Sequence, residues 1–246
     1  AKLPANRPLN RYRDVLPYDH SRIILESTQN GTDYINANLV EFPELGKRYI
    51  LAQGPLPHTA DHFWQMVWEN NSKAVIMLNK VMEKNQIKCF QYWPCGERYA
   101  HVNCLELDSF QIKYITENRS EEFTVRILEL ENKKTKETRV VYHYHYLTWP
   151  DFGVPKAPGY FLSFLFECRN AGVLSSDVGP AVIHCSAGIG RSGTFVMIDS
   201  ILAEVSTGNL NAVDLGERLL AARQYRVGLI QTPDQLRFTS IAILEG

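Results

Sequence analysis

The segment His184-Cys185-Ser186-Ala187-Gly188-Ile189-Gly190-Arg191-Ser192-Gly193-Thr194 restricts what this chain can fold into more than any other stretch. An apolar run of strand type, Pro180–Ile183, precedes it. A helical run, Ser192–Val205, follows, with Phe195, Ile198, Leu202 and Val205 on one stripe. Strand, tight turn and helix in that order call for a domain in which helices pack on a sheet. Gly188 and Gly190 allow the turn its curvature. Such a turn aims several backbone N–H groups at one point, and the helix N-terminus adds the positive end of its dipole. The result is an anion cradle.

Cys185 stands at the mouth of that cradle. A free thiol has a pKa of about 8.5, and a helix N-terminus with a nearby cation lowers it to roughly 3.5–7.5. Arg191 can bind two phosphate oxygens at once, which the point charge of a lysine cannot do equally well. The parts describe thiolate attack on a phosphate ester held by amides and a guanidinium. A nucleotide-binding P-loop is excluded, because no Gly-Lys-Ser/Thr closes the turn. A cysteine protease fits poorly: His184 adjoins Cys185, but successive strand residues point to opposite faces. A buried core thiol is the ordinary reading of a lone Cys after a strand; the small residues and Arg-Ser-Gly that follow argue against it.

Charge and cysteine usage narrow the setting. Twenty-six basic against twenty-seven acidic residues leave a net charge of -1. That balance argues against a nucleic-acid partner, which needs a positive field over many phosphates. The cysteines at 89, 95, 104, 168 and 185 are odd in number and include no CxxC pair, so neither a disulfide framework nor a zinc ribbon is expected. No signal-peptide segment and no apolar run of membrane-spanning length is present. The sequons at Asn70 and Asn118 then read as accidental. A reducing, intracellular, cytoplasmic location is expected, with Cys185 reactive and the other four thiols structural. His143 and His145 share one strand face but have no third ligand in register; structural roles are expected and no metal.

No repeat or linker divides the 246 residues, so one domain over 1–246 is expected. Strand-like runs occur at Ile23–Leu25, Tyr34–Val40, Tyr49–Ala52 and Ala74–Leu78, and the stretch from about Arg98 to Leu147 is strand-rich. Helices are expected over His58–Asn70 with Thr59 as N-cap, Tyr160–Arg169, Ser192–Val205 and Asp214–Arg226. A last helix starts with Thr232 as N-cap, Pro233 at its first position and Gln235 completing a capping box. The fold class is α/β (α+β): a mixed sheet flanked by helices.

At this point the chain resembles the tyrosine-specific protein phosphatases. The HCx5R signature runs from His184 to Arg191. Asn10-Arg11-Tyr12-Arg13-Asp14 resembles the phosphotyrosine-recognition loop, Trp149-Pro150-Asp151 the general-acid loop and Gln231-Thr232-Pro233-Asp234-Gln235 the glutamine loop. Tyr34-Ile35-Asn36-Ala37, Gln53-Gly54-Pro55 and Lys88–Pro94 also look like family landmarks. The wording from Gly188 to Phe195, with Phe161–Phe166, is most similar to the non-receptor type 1 and T-cell phosphatase subgroup. The resemblance implies a highly twisted central sheet.

It also implies roles. Cys185 would be the nucleophile, with Arg191, Ser186, Ala187, Gly188, Ile189 and Gly190 binding phosphate. Asp151 would be general acid and then base on a mobile loop with Trp149 and Phe152. Gln231, and secondarily Gln235, would position water. Ser192 would donate to the thiolate, His184 would support the loop from behind, and Glu83 and Lys88 would brace Arg191 and approach the phosphoryl group. Tyr12 would stack on the substrate ring, Asp14 would hold the peptide backbone and Arg13 would favour acidic flanks. Arg223 and Gly228 match one wall of a second phosphotyrosine pocket. The other wall, an Arg from N-terminal helices, has no match here, and this puts a preference for tandem phosphotyrosines in question. Leu162 and Phe166 match the groove of a regulatory C-terminal helix. The chain reads as a trimmed catalytic domain or as a member with reduced regulation. The expected partners are phosphotyrosine proteins, acted on by a monomer without a cofactor. A catalytically silent phosphotyrosine-binding module and a dual-specificity or lipid phosphatase are the competing readings.

Overall fold

The protein is described as a computed structural model. It describes residues 1–26, 31–94, 103–208 and 214–246. Cys95 and the start of the strand-rich stretch, 98–102, lie outside them.

The elements in order are β1 (Arg22–Ile24), β2 (Tyr34–Phe42), β3 (Lys47–Ala52), α1 (Ala60–Glu69), β4 (Ala74–Met77), β5 (Met82–Glu83) and β6 (Gln86–Ile87). Then come β7 (Cys104–Glu106), β8 (Phe110–Arg119), β9 (Phe123–Asn132), β10 (Thr138–Tyr146), α2 (Gly159–Asn170), β11 (Ala181–His184), α3 (Gly190–Ser206), α4 (Leu215–Arg223) and α5 (Pro233–Glu245). Among the described residues, nine strands form one mixed sheet in the order β1-β2-β3-β11-β4-β10-β9-β8-β7. β5 and β6 form a separate hairpin. The expected mixed sheet flanked by helices is what the chain forms.

Four adjacent strands, β3, β11, β4 and β10, are parallel. The two inner ones, β4 and β11, are four residues long and buried throughout, as strands covered on both faces must be. Alternation sends Ile183, Ile76 and Leu51 to one face, where α2, α3 and α5 contribute Phe161, Phe164, Phe195 and Phe238. Val182, Val75 and Ile50 go to the other, against Phe63, Trp64 and Met66 of α1. Because the four strands run the same way, Ala52, His184, Met77 and His145 end in register at one edge. The loops that follow them emerge together there, the usual place for a site in such a sheet.

Helix ends differ in detail from expectation. Thr59 does precede α1, but its hydroxyl accepts from Leu56 N–H at 2.9 Å. A 3-10 turn, Pro57–Thr59, occupies the first residues assigned to that helix. Thr232 caps α5 by accepting from Gln235 N–H at 3.1 Å. The return bond of the expected capping box reaches one residue further: Gln235 Oε1 accepts from Gln231 N–H at 2.8 Å. α3 carries more than the expected single stripe, since Ser192 and Thr194–Leu202 are all buried. It runs through the interior, as a helix apolar all round must.

Candidate active site

The loop from β11 to α3 places Cys185 Sγ where donors converge. Gly188 N–H points at Sγ from 3.3 Å and Ser192 Oγ–H from 3.4 Å. Burial alone opposes a charged sulfur here. The Ser192 hydroxyl, the Ser192 and Gly188 N–H groups and the Arg191 guanidinium outweigh it, and the thiol pKa is lowered. Gly188 is obligatory: its φ is +73°, and a Cβ there would lie 2.1 Å from Ala52 O. Gly190, the first residue of α3, faces Gln231 and Gln235; a Cβ would lie 2.5 Å from Gln231 Oε1.

Arg191 is held in a fixed fork. Nη1 and Nη2 donate to Glu83 Oε1 and Oε2 at 2.6 and 2.8 Å, and Nη1 also donates to Leu78 O at 3.1 Å. The guanidinium lies 5.4 Å from the centroid of the Trp149 ring. Three of its five N–H groups are engaged, so Nε–H and one Nη2–H remain as the pair that fits two phosphate oxygens.

A cavity of about 340 Å³ opens above Cys185. Tyr12, Asp14, Glu83, Lys88, Trp149, Asp151, Ser186, Ala187, Gln231 and Gln235 line it with Arg191. Ser186 Oγ donates to Lys88 O at 2.9 Å, so the hydroxyl of Tyr12, 2.7 Å away, donates to Ser186. That bond stands the phenol upright as a wall. Trp149 is buried, and its Nε1–H donates to Gly153 O at 3.2 Å, closing the Asp151 turn on itself. Asp151 is exposed, with Oδ2 accepting from Lys84 N–H at 3.3 Å.

Several expected residues stand apart from the cavity. Phe152 is 77% exposed, with Lys84 Nζ 3.6 Å from its ring centroid. Arg13 lines a separate recess with Lys2 and Arg7. Gly228, at φ +62°, faces Ile189 Cδ1. Ile189 acts through its carbonyl, which accepts from Gly193 and Ile230 N–H. His184 sits behind Cys185, its Nδ1 3.0 Å from Cys185 O, and burial lowers its pKa to about 4.

Arg226 went unnoticed in the sequence. It is fully buried and donates to Gly188 O (2.8 Å), Ala187 O (3.0 Å), Asn38 Oδ1 (2.8 Å) and Asn36 Oδ1 (3.0 Å). Two loop carbonyls are thereby turned away from the phosphate cradle and the N–H groups toward it. The signal was Asn36 and Asn38, two polar residues inside an apolar strand run. Tyr92 falls in the Lys88–Pro94 landmark, but no role was read for it. Its hydroxyl lies 2.6 Å from His184 Nε2 and 2.8 Å from His143 Nε2.

Where the parallel strands of this sheet end, the thiol of Cys185, the surrounding N–H donors and the Arg191 fork have the chemistry to hold a phosphate group. The protein-tyrosine phosphatase family model matches residues 6–245. The mouse tyrosine-protein phosphatase non-receptor type 2 is 54% identical over 246 residues, all of this chain and 59% of its own length. The fruit-fly tyrosine-protein phosphatase non-receptor type 61F is 49% identical over 98% of this chain and 43% of its own. The chicken receptor-type tyrosine-protein phosphatase S is 39% identical over the whole chain and 16% of its length. The chain belongs to the protein-tyrosine phosphatase family. It spans about three fifths of the length of the type 2 relatives it matches. Among the described residues no helix is long and apolar enough to cross a membrane.

Proposed function

We propose that this chain hydrolyses phosphotyrosine in proteins through a phosphocysteine on Cys185. The observation that carries the reading is Cys185 Sγ held by Gly188 N–H and Ser192 Oγ–H beside the braced fork of Arg191. In the first step the thiolate attacks phosphorus and the bond to the tyrosyl oxygen breaks. Asp151 gives its proton to the departing phenolate, a transfer worth about 10²–10⁴-fold. Arg191 and the loop amides hold the three remaining oxygens. In the second step water attacks phosphorus, Asp151 takes the water's proton, and the sulfur leaves as a thiolate stabilised by Ser192. Gln231 is the better candidate to orient that water, because the Gln235 carbonyl is already engaged by Gln231 N–H.

Selectivity for tyrosine is supported by the Tyr12 wall beside Ser186, which makes the route to the sulfur deep. Cys89, Cys104, Cys168 and Cys185 are all free, which supports a reducing, cytoplasmic setting. A monomer is the expected unit, and sedimentation tests it. The deciding experiment is hydrolysis of para-nitrophenyl phosphate and a phosphotyrosyl peptide with a chelator present. Activity surviving Cys185→Ser refutes the proposal. Equal rates on phosphothreonine or a phosphoinositide refute the selectivity.

A further inference from the structure

Behind the nucleophile lies a line of buried polar side chains that the proposed reaction does not use. Arg126 of β9 is 8% exposed. Its Nη1 is 3.3 Å from Nδ1 of both His143 and His145 on β10. His145 Nε2 is 2.8 Å from Asn79 O. His143 Nε2 reaches the Tyr92 hydroxyl, which reaches His184 Nε2, and His184 Nδ1 reaches Cys185 O.

Counting protons leaves one arrangement. Cys185 O only accepts, so His184 carries its proton on Nδ1 and offers a lone pair at Nε2. The single proton of Tyr92 goes to that lone pair. The phenolic oxygen then accepts from His143 Nε2–H. That leaves a lone pair on His143 Nδ1, facing a guanidinium that only donates. His145 follows the same rule, with Nδ1 toward Arg126 and Nε2–H toward Asn79 O. Along the His143 arm every bond points the same way, from the Arg126 cation to the carbonyl of the nucleophilic residue; the His145 arm ends on Asn79 O. Bonds in such a file polarise one another. The other charged groups at hand are Glu117, with Oε2 3.3 Å from Arg126 Nε, Arg119 beside it on β8, Lys80 near His145, Arg11 near His184, and Arg191 and Arg226 near Cys185. The Trp93 ring stacks on His143, with centroids 4.6 Å apart.

We propose that Arg126 is a positioning residue for both halves of the site: through His143, Tyr92 and His184 it strengthens the hydrogen bond to Cys185 O, and through His145 it holds Asn79, at the head of the segment that carries Glu83. The inference rests on the thiol chemistry proposed above. The first arm draws electron density off the Cys185 backbone and favours the thiolate. The second keeps the brace of Arg191 in register. β10 leads directly into the Trp149–Asp151 turn, so one cation ties three loops of the site together.

The test uses the full chain and the variants Arg126→Met, Arg126→Lys and Tyr92→Phe. Alkylation of Cys185 by iodoacetamide is followed against pH, with the site located by peptide mass spectrometry. In parallel, long-range proton–nitrogen NMR reads the imidazole tautomers. The expected result is His184 protonated on Nδ1 and His143 and His145 on Nε2. Arg126→Met and Tyr92→Phe raise the alkylation midpoint by about half a unit to one unit, and Arg126→Lys recovers part of it. The double variant shifts no further than either single one, because both cut the same line. His184 protonated on Nε2, or an unchanged midpoint in folded Tyr92→Phe, overturns the inference even if Arg126→Met fails to fold. A low midpoint in a chain that hydrolyses no phosphotyrosine refutes the functional reading alone.

Discussion

Replacing Gly188 by alanine tests the geometry of the cradle at its narrowest point. The new Cβ would lie 2.1 Å from Ala52 O, a backbone atom that no side-chain rotation can move aside. An ordinary contact begins near 3.4 Å. The loop must therefore retreat by about 1.3 Å, or β3 must yield within a sheet paired on both sides. The residue would also hold φ near +73°, at a cost of roughly 1–2 kcal/mol for a side chain of L configuration. A retreat of that size takes Gly188 N–H from 3.3 Å to beyond hydrogen-bond reach of the sulfur. Misplacing a group by about 1 Å costs on the order of 10²-fold in rate. Gly188→Ala is expected to lower kcat on para-nitrophenyl phosphate by about that factor and to raise the midpoint of Cys185 alkylation. Melting should drop by several degrees, roughly 2–4 °C per kcal/mol for a chain of this size. A folded variant with wild-type kcat and an unchanged alkylation midpoint would refute the reasoning, since the amide would then be dispensable.

Other consequences are open to direct measurement. Glu83→Ala leaves the Arg191 guanidinium without its bidentate partner. The guanidinium borders the open cavity, so the cost falls below the roughly 3–5 kcal/mol of a fully buried pair, and urea unfolding together with a rise in KM for aryl phosphates should show it. Lys84→Ala removes the cation from the exposed Phe152 ring, an interaction of about 0.5–1 kcal/mol. It should shift the resting position of the Asp151 turn, read by Trp149 fluorescence, by a factor of roughly 2–5 in population. Stability should fall in acid. Burial lowers His184 to about 4 and His145 to about 3, while unfolded imidazoles titrate near 6.5. Between those limits the unfolded chain binds more protons, so stability declines as pH drops from about 6.5 toward 4. Urea midpoints at pH 7, 6 and 5 that show no decline would contradict neutral buried imidazoles.

The site was readable in the sequence where chemistry is local in the chain. Cys185, Gly188, Arg191 and Ser192 lie within one strand–turn–helix, and their convergence follows from that unit. Asp151, Tyr12 and Gln231 became readable only through family resemblance, because nothing in a Pro-Asp-Phe-Gly turn says which cavity it lines. Arg226 and Arg126 were invisible for a different reason. A buried arginine is written with the same letter as a surface one, and only tertiary structure supplies the carbonyls and imidazoles that satisfy it. Element types were legible from periodicity and apolar runs, but their ends were not. The 3-10 turn before α1 and the displaced capping bond of Gln235 are decided by neighbours distant in sequence or one position off register.

The order of the parallel strands has a consequence for how the chain acquires its reactivity. Three of the loops that meet at the cavity leave β4, β10 and β11, which are spread from Ala74 to His184. β11 enters the sheet between β3 and β4, so the last strand made is the one the others flank. A nascent or partly unfolded chain has no braced Arg191 and no ordered His184, and its Cys185 is an ordinary thiol near pKa 8.5. The low-pKa sulfur is therefore a property of the completed sheet. Its alkylation at neutral pH can report when the sheet has assembled around β11.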